Sequence, residues 1–126
     1  MNWNLSPAAV FAASPLVPVM VIDDLNQAVP MTQALAAGGI TVYEVTLRTP
    51  AALQAIKAIR EALPNALVGA GTVLNPQQYD AAVEAGAQFV ISPGCTVELL
   101  QHVRQQAVPL IPGVATPSEI MTAYSL

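Results

Sequence analysis

The sequence is short of most residues that announce a function. Of its 126 residues one is cysteine, Cys95, and one is histidine, His102. A lone cysteine excludes an internal disulfide and a Cys-x-x-Cys metal site. A lone histidine is too little for a His-rich metal centre or a His-dependent triad. The expected home is a reducing cytoplasm. Charge is scarce as well: 10% of the residues are charged, against roughly 25% in an average soluble domain. The four cations, Arg48, Lys57, Arg60 and Arg104, are scattered along a chain of net charge −4. No basic patch exists to follow a nucleic-acid backbone. Long apolar runs are missing too. Leu16 to Ile22 contains Pro18 and falls far below the ~18 residues a membrane span needs. The opening Met1-Asn2-Trp3-Asn4 carries no positive charge ahead of an apolar stretch, so no secretory leader is expected.

What the chain has in quantity is apolar side chains, 54% of the total. That balance fits a heavily buried fold, or part of one. The length suits one domain, although a complete α/β barrel usually needs about 250 residues. Residues 1–126 read as a single domain, with no linker and no low-complexity tract.

Strand candidates are Leu16–Ile22, Thr41–Arg48, Ala66–Gly71, Gln88–Ser92 and Val108–Ile111, with helical patterns between them. Alternating βα units predict a parallel sheet with right-handed crossovers. Five parallel strands make either an open sheet or five-eighths of a barrel. Ser6-Pro7, Thr49-Pro50, Asn75-Pro76 and Thr116-Pro117 each place a capping residue before a proline, the arrangement that opens helices. Gln78 and Glu119 follow their caps at capping-box spacing. Gly38-Gly39, Pro64-Asn65 and Gly86 mark helix ends. Pro30 is expected near the first turn of its helix, where a missing N–H is tolerable.

In parallel α/β folds ligands bind beyond the carboxyl ends of the strands. Four such ends are polar or glycine-rich: Thr46 to Thr49, Gly69 to Thr72, Ser92 to Gly94 and Pro112-Gly113. The second strand is the most telling. Alternation puts Tyr43, Val45 and Leu47 on one face, suited to helices, and Val42, Glu44, Thr46 and Arg48 on the other. A glutamate and an arginine on an inner face carry a desolvation cost, so they need partners or a task. Their Cα atoms are expected about 13 Å apart at ~3.3 Å per residue, and their side chains either form a structural ion pair or converge on a small anion. In the second case Arg48 holds the anion and Glu44 is a general acid/base, its pKa raised by burial. Gly69-Ala70-Gly71 lacks the third glycine of a dinucleotide loop, because position 74 is Leu. It is read as a tight turn, with Thr72 as a possible substrate contact. Lys57, the only lysine, flanks its helix's apolar stripe and reads as a solvated surface residue; His102 reads as an ordinary helix residue and Cys95 as a small half-buried one.

Five stretches together, Glu44 to Thr49, Val68 to Leu74, Ala85 to Phe89, Ile91 to Gly94 and Leu110 to Gly113, resemble the 2-keto-3-deoxy-6-phosphogluconate (KDPG) and 4-hydroxy-2-oxoglutarate aldolases. The resemblance runs along essentially the whole chain. It implies a (β/α)8 TIM barrel, of which this chain covers an N-terminal helix and about five βα units. It also implies a class I aldolase that cleaves KDPG to pyruvate and glyceraldehyde 3-phosphate through a lysine Schiff base. The implied residue roles are Glu44 as proton-shuttling acid/base, Arg48 and Thr72 as binders of the pyruvyl carboxylate, and Pro93 as pocket lining. No cofactor, metal, membrane or nucleic-acid partner is implied; the partners are pyruvate, the phosphorylated sugar acid and, in the full-length protein, two further copies in a homotrimer. The family's Schiff-base lysine belongs to a Phe-Lys-Phe-Phe-Pro-like motif on a sixth strand, expected just past Leu126, and Lys57 is no substitute. The alternatives are a non-catalytic fragment, prone to association through open sheet edges, and a sister aldolase for the galactonate analogue.

Overall fold

In the computed structural model, which describes residues 3–126, apolar strands and capped helices alternate along the chain. Met1 and Asn2, part of the segment expected to carry no leader, lie outside the described residues. Helix α1 (Pro7–Ala13) comes first. Five βα units follow: β1 (Val19–Met20) and α2 (Leu25–Ala37), β2 (Val42–Thr46) and α3 (Ala52–Ala62), β3 (Leu67–Gly71) and α4 (Pro76–Glu84), β4 (Val90–Ser92) and α5 (Val97–Val103), β5 (Leu110–Pro112) and α6 (Pro117–Ser125). None of these helices is long and apolar enough to cross a membrane.

The strands are parallel and lie side by side in chain order, β1-β2-β3-β4-β5. A doubly wound sheet reverses its order at a switch point; this one never reverses. With crossovers of one hand, a sheet that always advances in one direction keeps its helices on one face. That is barrel winding, and it fixes the choice between an open doubly wound sheet and a barrel segment.

The two faces of β2 follow the alternation. Tyr43 and Val45 join the main core with Ala28, Ala52, Ile56 and Ile59 of the helices. Val42, on the other face, packs with Phe89 and with Val10 of α1. Leu67 and Leu5 pack against the same cluster, so α1 covers the inner face where β2 and β3 begin. The opposite end of the sheet is left to the strand-to-helix loops.

The elements are shorter than the sequence pattern suggests. β1 keeps only Val19–Met20 of the expected Leu16–Ile22, because Pro18 has no N–H to pair and the Ser14 hydroxyl donates to the Leu16 carbonyl at 2.6 Å. β2 stops at Thr46, so Arg48 lies in the following turn and not on the strand. Thr41 precedes β2, its hydroxyl donating to the Ala13 carbonyl at 2.8 Å.

Ser6, Asn75, Thr96 and Thr116 cap their helices, and Thr116 with Glu119 closes a full capping box. Thr49 does not cap: α3 starts at Ala52 with no side-chain cap, and the Thr49 hydroxyl donates instead to the Ile22 carbonyl at 2.5 Å. Gln78 does not complete a box either, because its side chain accepts from the Leu74 N–H. Asp24 caps α2, a start the sequence pattern had not singled out. Pro30 lies inside α2, beyond the first turn. The Asn26 carbonyl that loses its helical donor there belongs to an exposed residue, open to solvent.

Candidate active site

The inner-face carboxylate is the centre of the site. Glu44 is 9% exposed and pairs in register with Gly69 on β3. Its side chain nevertheless rises along the sheet. A Cβ placed on Gly71, two residues further on, would lie 2.6 Å from the Glu44 Cδ and 2.7 Å from its Cγ. The carboxyl is therefore turned toward the carboxyl end of the strands, where ligands reach this class of sheet.

Burial pushes the Glu44 pKa up from the ordinary glutamate value, and the Arg48 guanidinium opposes that rise. The two are close enough to feel each other, yet no ion pair joins them. Among the described residues the ion pair is His102 with Asp80, at 2.7 Å. The purely structural Glu44–Arg48 bridge weighed from the sequence is thus not formed, and the exposed Arg48 stays available to an anion.

Backbone ties hold the loops around Glu44. The Leu47 N–H donates to the Gly71 carbonyl at 2.8 Å, continuing the β2–β3 ladder into the turn that carries Arg48. Thr46 donates to the Met20 carbonyl at 3.1 Å and Thr49 to that of Ile22, which fastens β2 and its turn to the β1 side. Thr72, directly after β3, has φ +58°, a left-handed conformation unusual for a β-branched residue. Among the described non-glycine residues it stands alone in this. The tight turn expected of the two glycines falls instead on Thr72. The glycines serve close approach: Gly69 faces the Phe89 ring and Gly71 faces Glu44.

Pro93 lies one strand over and is exposed. The Gly113 N–H donates to the Ser92 carbonyl at 2.8 Å, and the Ser92 hydroxyl to the Gly94 carbonyl at 2.6 Å. A Cβ on Gly113 would come 2.7 Å from the Pro93 carbonyl carbon, so the β4 and β5 loops meet backbone to backbone. Pro93, Gly94, Gly113 and Glu119 line the groove between them.

Glu44, Arg48 and Thr72 thus gather at the β2–β3 ends, with Pro93 on the adjoining rim. Lys57 is exposed on α3, outside the sheet. His102 on α5 pairs with Asp80 of α4 and meets Tyr79 edge-on, which serves helix packing. Cys95 is half-buried with its Sγ 3.8 Å from the Glu119 carbonyl. No group of three or more His, Cys, Asp or Glu side chains among the described residues is placed to hold a metal ion. The role of Gly71 was the main miss of the sequence reading. Its signal was a glycine two residues past the register partner of a buried glutamate, visible only once the register is known.

Comparison with known proteins gives a consistent picture. The profile of the KDPG and KHG aldolase family matches residues 8–126. The chain is 54% identical over 120 residues to the KHG/KDPG aldolase of Escherichia coli K12, an alignment covering 95% of this chain and 56% of that protein. It is 52% identical to the 2-dehydro-3-deoxy-phosphogluconate aldolase of Dickeya dadantii, over 95% of this chain and 56% of the other. Among solved structures, the KDPG aldolase of Legionella pneumophila, holding pyruvate as a covalent carbinolamine, superposes with a TM-score of 0.95 at 52% identity, covering 98% of this chain and 60% of that one. The chain spans about half the length of the curated relatives it matches.

Proposed function

We propose, from the premise that this chain belongs to the KDPG and KHG aldolase family, that it forms the proton-transfer and carboxylate-holding half of a class I aldolase site. The activity is cleavage of KDPG to pyruvate and glyceraldehyde 3-phosphate, with 4-hydroxy-2-oxoglutarate as a second substrate. The observation that carries this reading is Glu44, buried, unbridged and turned to the strand ends, with a cation nearby.

Each residue's task follows from its chemistry. Arg48 offers a planar fork of N–H donors that matches a carboxylate bidentately. Thr72 brings a hydroxyl and, through its left-handed backbone, an altered chain direction at the lip of β3. Pro93 lines the rim. In the aldolase reaction a lysine amine adds to the keto carbon and water leaves, giving an iminium. Cleavage of the C3–C4 bond then releases the aldehyde and leaves an enamine. Glu44, with its pKa raised from the ordinary value, is suited to take a proton in one step and return it to the enamine carbon in another.

Lys57 is exposed on an outer helix, so the nucleophile is not supplied by this chain's lysine. That observation favours a second reading for the 126-residue chain by itself: it binds small keto-acid carboxylates without a covalent step. The phosphogluconate named for the Dickeya relative favours KDPG over the galactonate analogue. A cytoplasmic homotrimer is part of the same proposal and rests on the family resemblance.

The test is a pyruvate titration of the labelled chain followed by NMR, with borohydride reduction in parallel. Pyruvate is expected to move the amide signals of Glu44, Arg48, Thr72 and Gly94, and Arg48→Ala to abolish those shifts. Shifts that survive in Arg48→Ala, or an absence of shifts at these residues, would overturn the carboxylate clamp. A reduced pyruvate adduct on Lys57 would overturn the assignment of the lysine.

A further inference from the structure

Three glycines, one within β3, one at its end and one just after β5, exclude a side chain, each for a different reason. At Gly69 a Cβ would run into the Phe89 ring, which belongs to the inner-face core. At Gly113 it would meet the Pro93 backbone. At Gly71 the three nearest atoms all belong to one side chain: Oε1, Cδ and Cγ of Glu44. The Gly71 backbone is an ordinary strand residue without positive φ, so the conformation itself does not call for glycine. A glutamate side chain has three rotatable bonds and can swing away from an added methyl group. The fold would accept alanine at this position; the location of the carboxyl would not.

We propose that Gly71 is a positioning residue, whose bare Cα is the surface against which the Glu44 carboxyl is held, buried and turned toward the strand ends. The proposal rests on the reading of Glu44 as proton relay and deepens it. With the methyl group of alanine in that space, the carboxyl moves off β3 toward water and toward Arg48, the charged group that acts on it. Both destinations favour the ionised form. The displacement also occupies the guanidinium meant for the substrate carboxylate. Displacements of about 1 Å at a reacting group are enough to reduce a rate by ~10²-fold.

The experiment is a carbon-detected NMR titration of the glutamate carboxyls in the 126-residue chain and its Gly71→Ala variant, with thermal unfolding of both. The Glu44 midpoint is expected to fall toward the ordinary glutamate value in Gly71→Ala, with Tm within about 5 °C of the parent. A second variant keeps the test sharp if Gly71→Ala is less stable than that. Glu44→Asp shortens the side chain and frees the contested space, so the double variant Gly71→Ala/Glu44→Asp is expected to regain the lost Tm, a non-additivity that only direct contact produces. An unchanged Glu44 midpoint in Gly71→Ala, or a Tm loss that Glu44→Asp does not relieve, would overturn the proposal. The relay reading fails separately. If the midpoint moves as expected while Glu44→Gln leaves KDPG turnover unchanged in a form of the protein that carries the Schiff-base lysine, Gly71 still positions Glu44, but Glu44 does not carry the proton.

Discussion

At the scale of single residues, the candidate site turns on a buried carboxyl that has no ion-pair partner among the described residues. A buried carboxylate usually acquires a partner, since removing an uncompensated charge from water is costly. Glu44 has Arg48 near enough to oppose its rise in pKa but not near enough to bridge. Because the folded protein holds the Glu44 proton more tightly than the unfolded chain, its contribution to stability is complete below the ordinary glutamate pKa. It is lost as pH rises through the raised value. Glu44→Gln is therefore expected to be more stable than the parent above that window and to lack this slope, as read by Tm across a pH series. In any form of the protein that turns over KDPG, the same substitution should lower kcat by about 10²–10⁴, the usual contribution of a positioned acid/base. A kcat near the parental value would remove Glu44 from proton transfer. Tyr79 is a contrasting buried group. Its hydroxyl donates to the Val108 carbonyl at 2.5 Å, and burial, aided by Asp80, pushes its pKa to about 12. Tyr79→Phe leaves that carbonyl without its partner and is expected to cost about 1–3 kcal/mol in chemical denaturation without touching the site.

At the scale of elements, local chemistry decides where helices begin, and tertiary demands override it where the site needs them. Ser6, Asn75 and Thr116 act as the sequence promises, and Thr116→Ala should cost about 1 kcal/mol of stability and loosen the start of α6, visible in amide exchange. Thr49 has the same local signature and does something else, because its hydroxyl is drawn across to β1. No pattern within the Thr49-Pro50 neighbourhood foretells a partner so distant in sequence. The strands were legible in number and in their alternation with helices, and the alternation of β2 correctly divided Tyr43 and Val45 from Val42. Their ends were not, since Pro18 and the turn at Leu47 and Arg48 act through hydrogen bonds made or missed with neighbouring strands. That Glu44, Arg48 and Thr72 would lie near one another was legible, because polar residues on and just after strands stand out in so apolar a chain. Gly71 was hidden, because a glycine shows what it excludes only when its neighbours are in place. Gly69→Ala is expected to behave unlike Gly71→Ala: crowding the Phe89 ring should cost about 1–3 kcal/mol with no effect on the Glu44 titration.

At the scale of the whole molecule, the sheet of the described residues has β1 and β5 at its edges. Around β1 lie Leu16 and Val19, 65% and 57% exposed. An apolar edge of this kind is a template for pairing with another chain. The 126-residue chain alone is expected to associate as its concentration rises, and Val19→Lys to reduce that association in light scattering. A parent that remained a 13.1 kDa species throughout would count against it. The strand order has another consequence, in time. Each strand's partner is the one synthesised just before it, so the growing polypeptide never waits for a distant segment before pairing. On a ribosome adding roughly 5–20 residues per second, β2 can dock on β1, and β3 on β2, while the rest is still being made. Arg48 and Thr72 would then stand side by side before β4 has left the exit tunnel. The order in which the molecule is written is also the order in which its site is assembled.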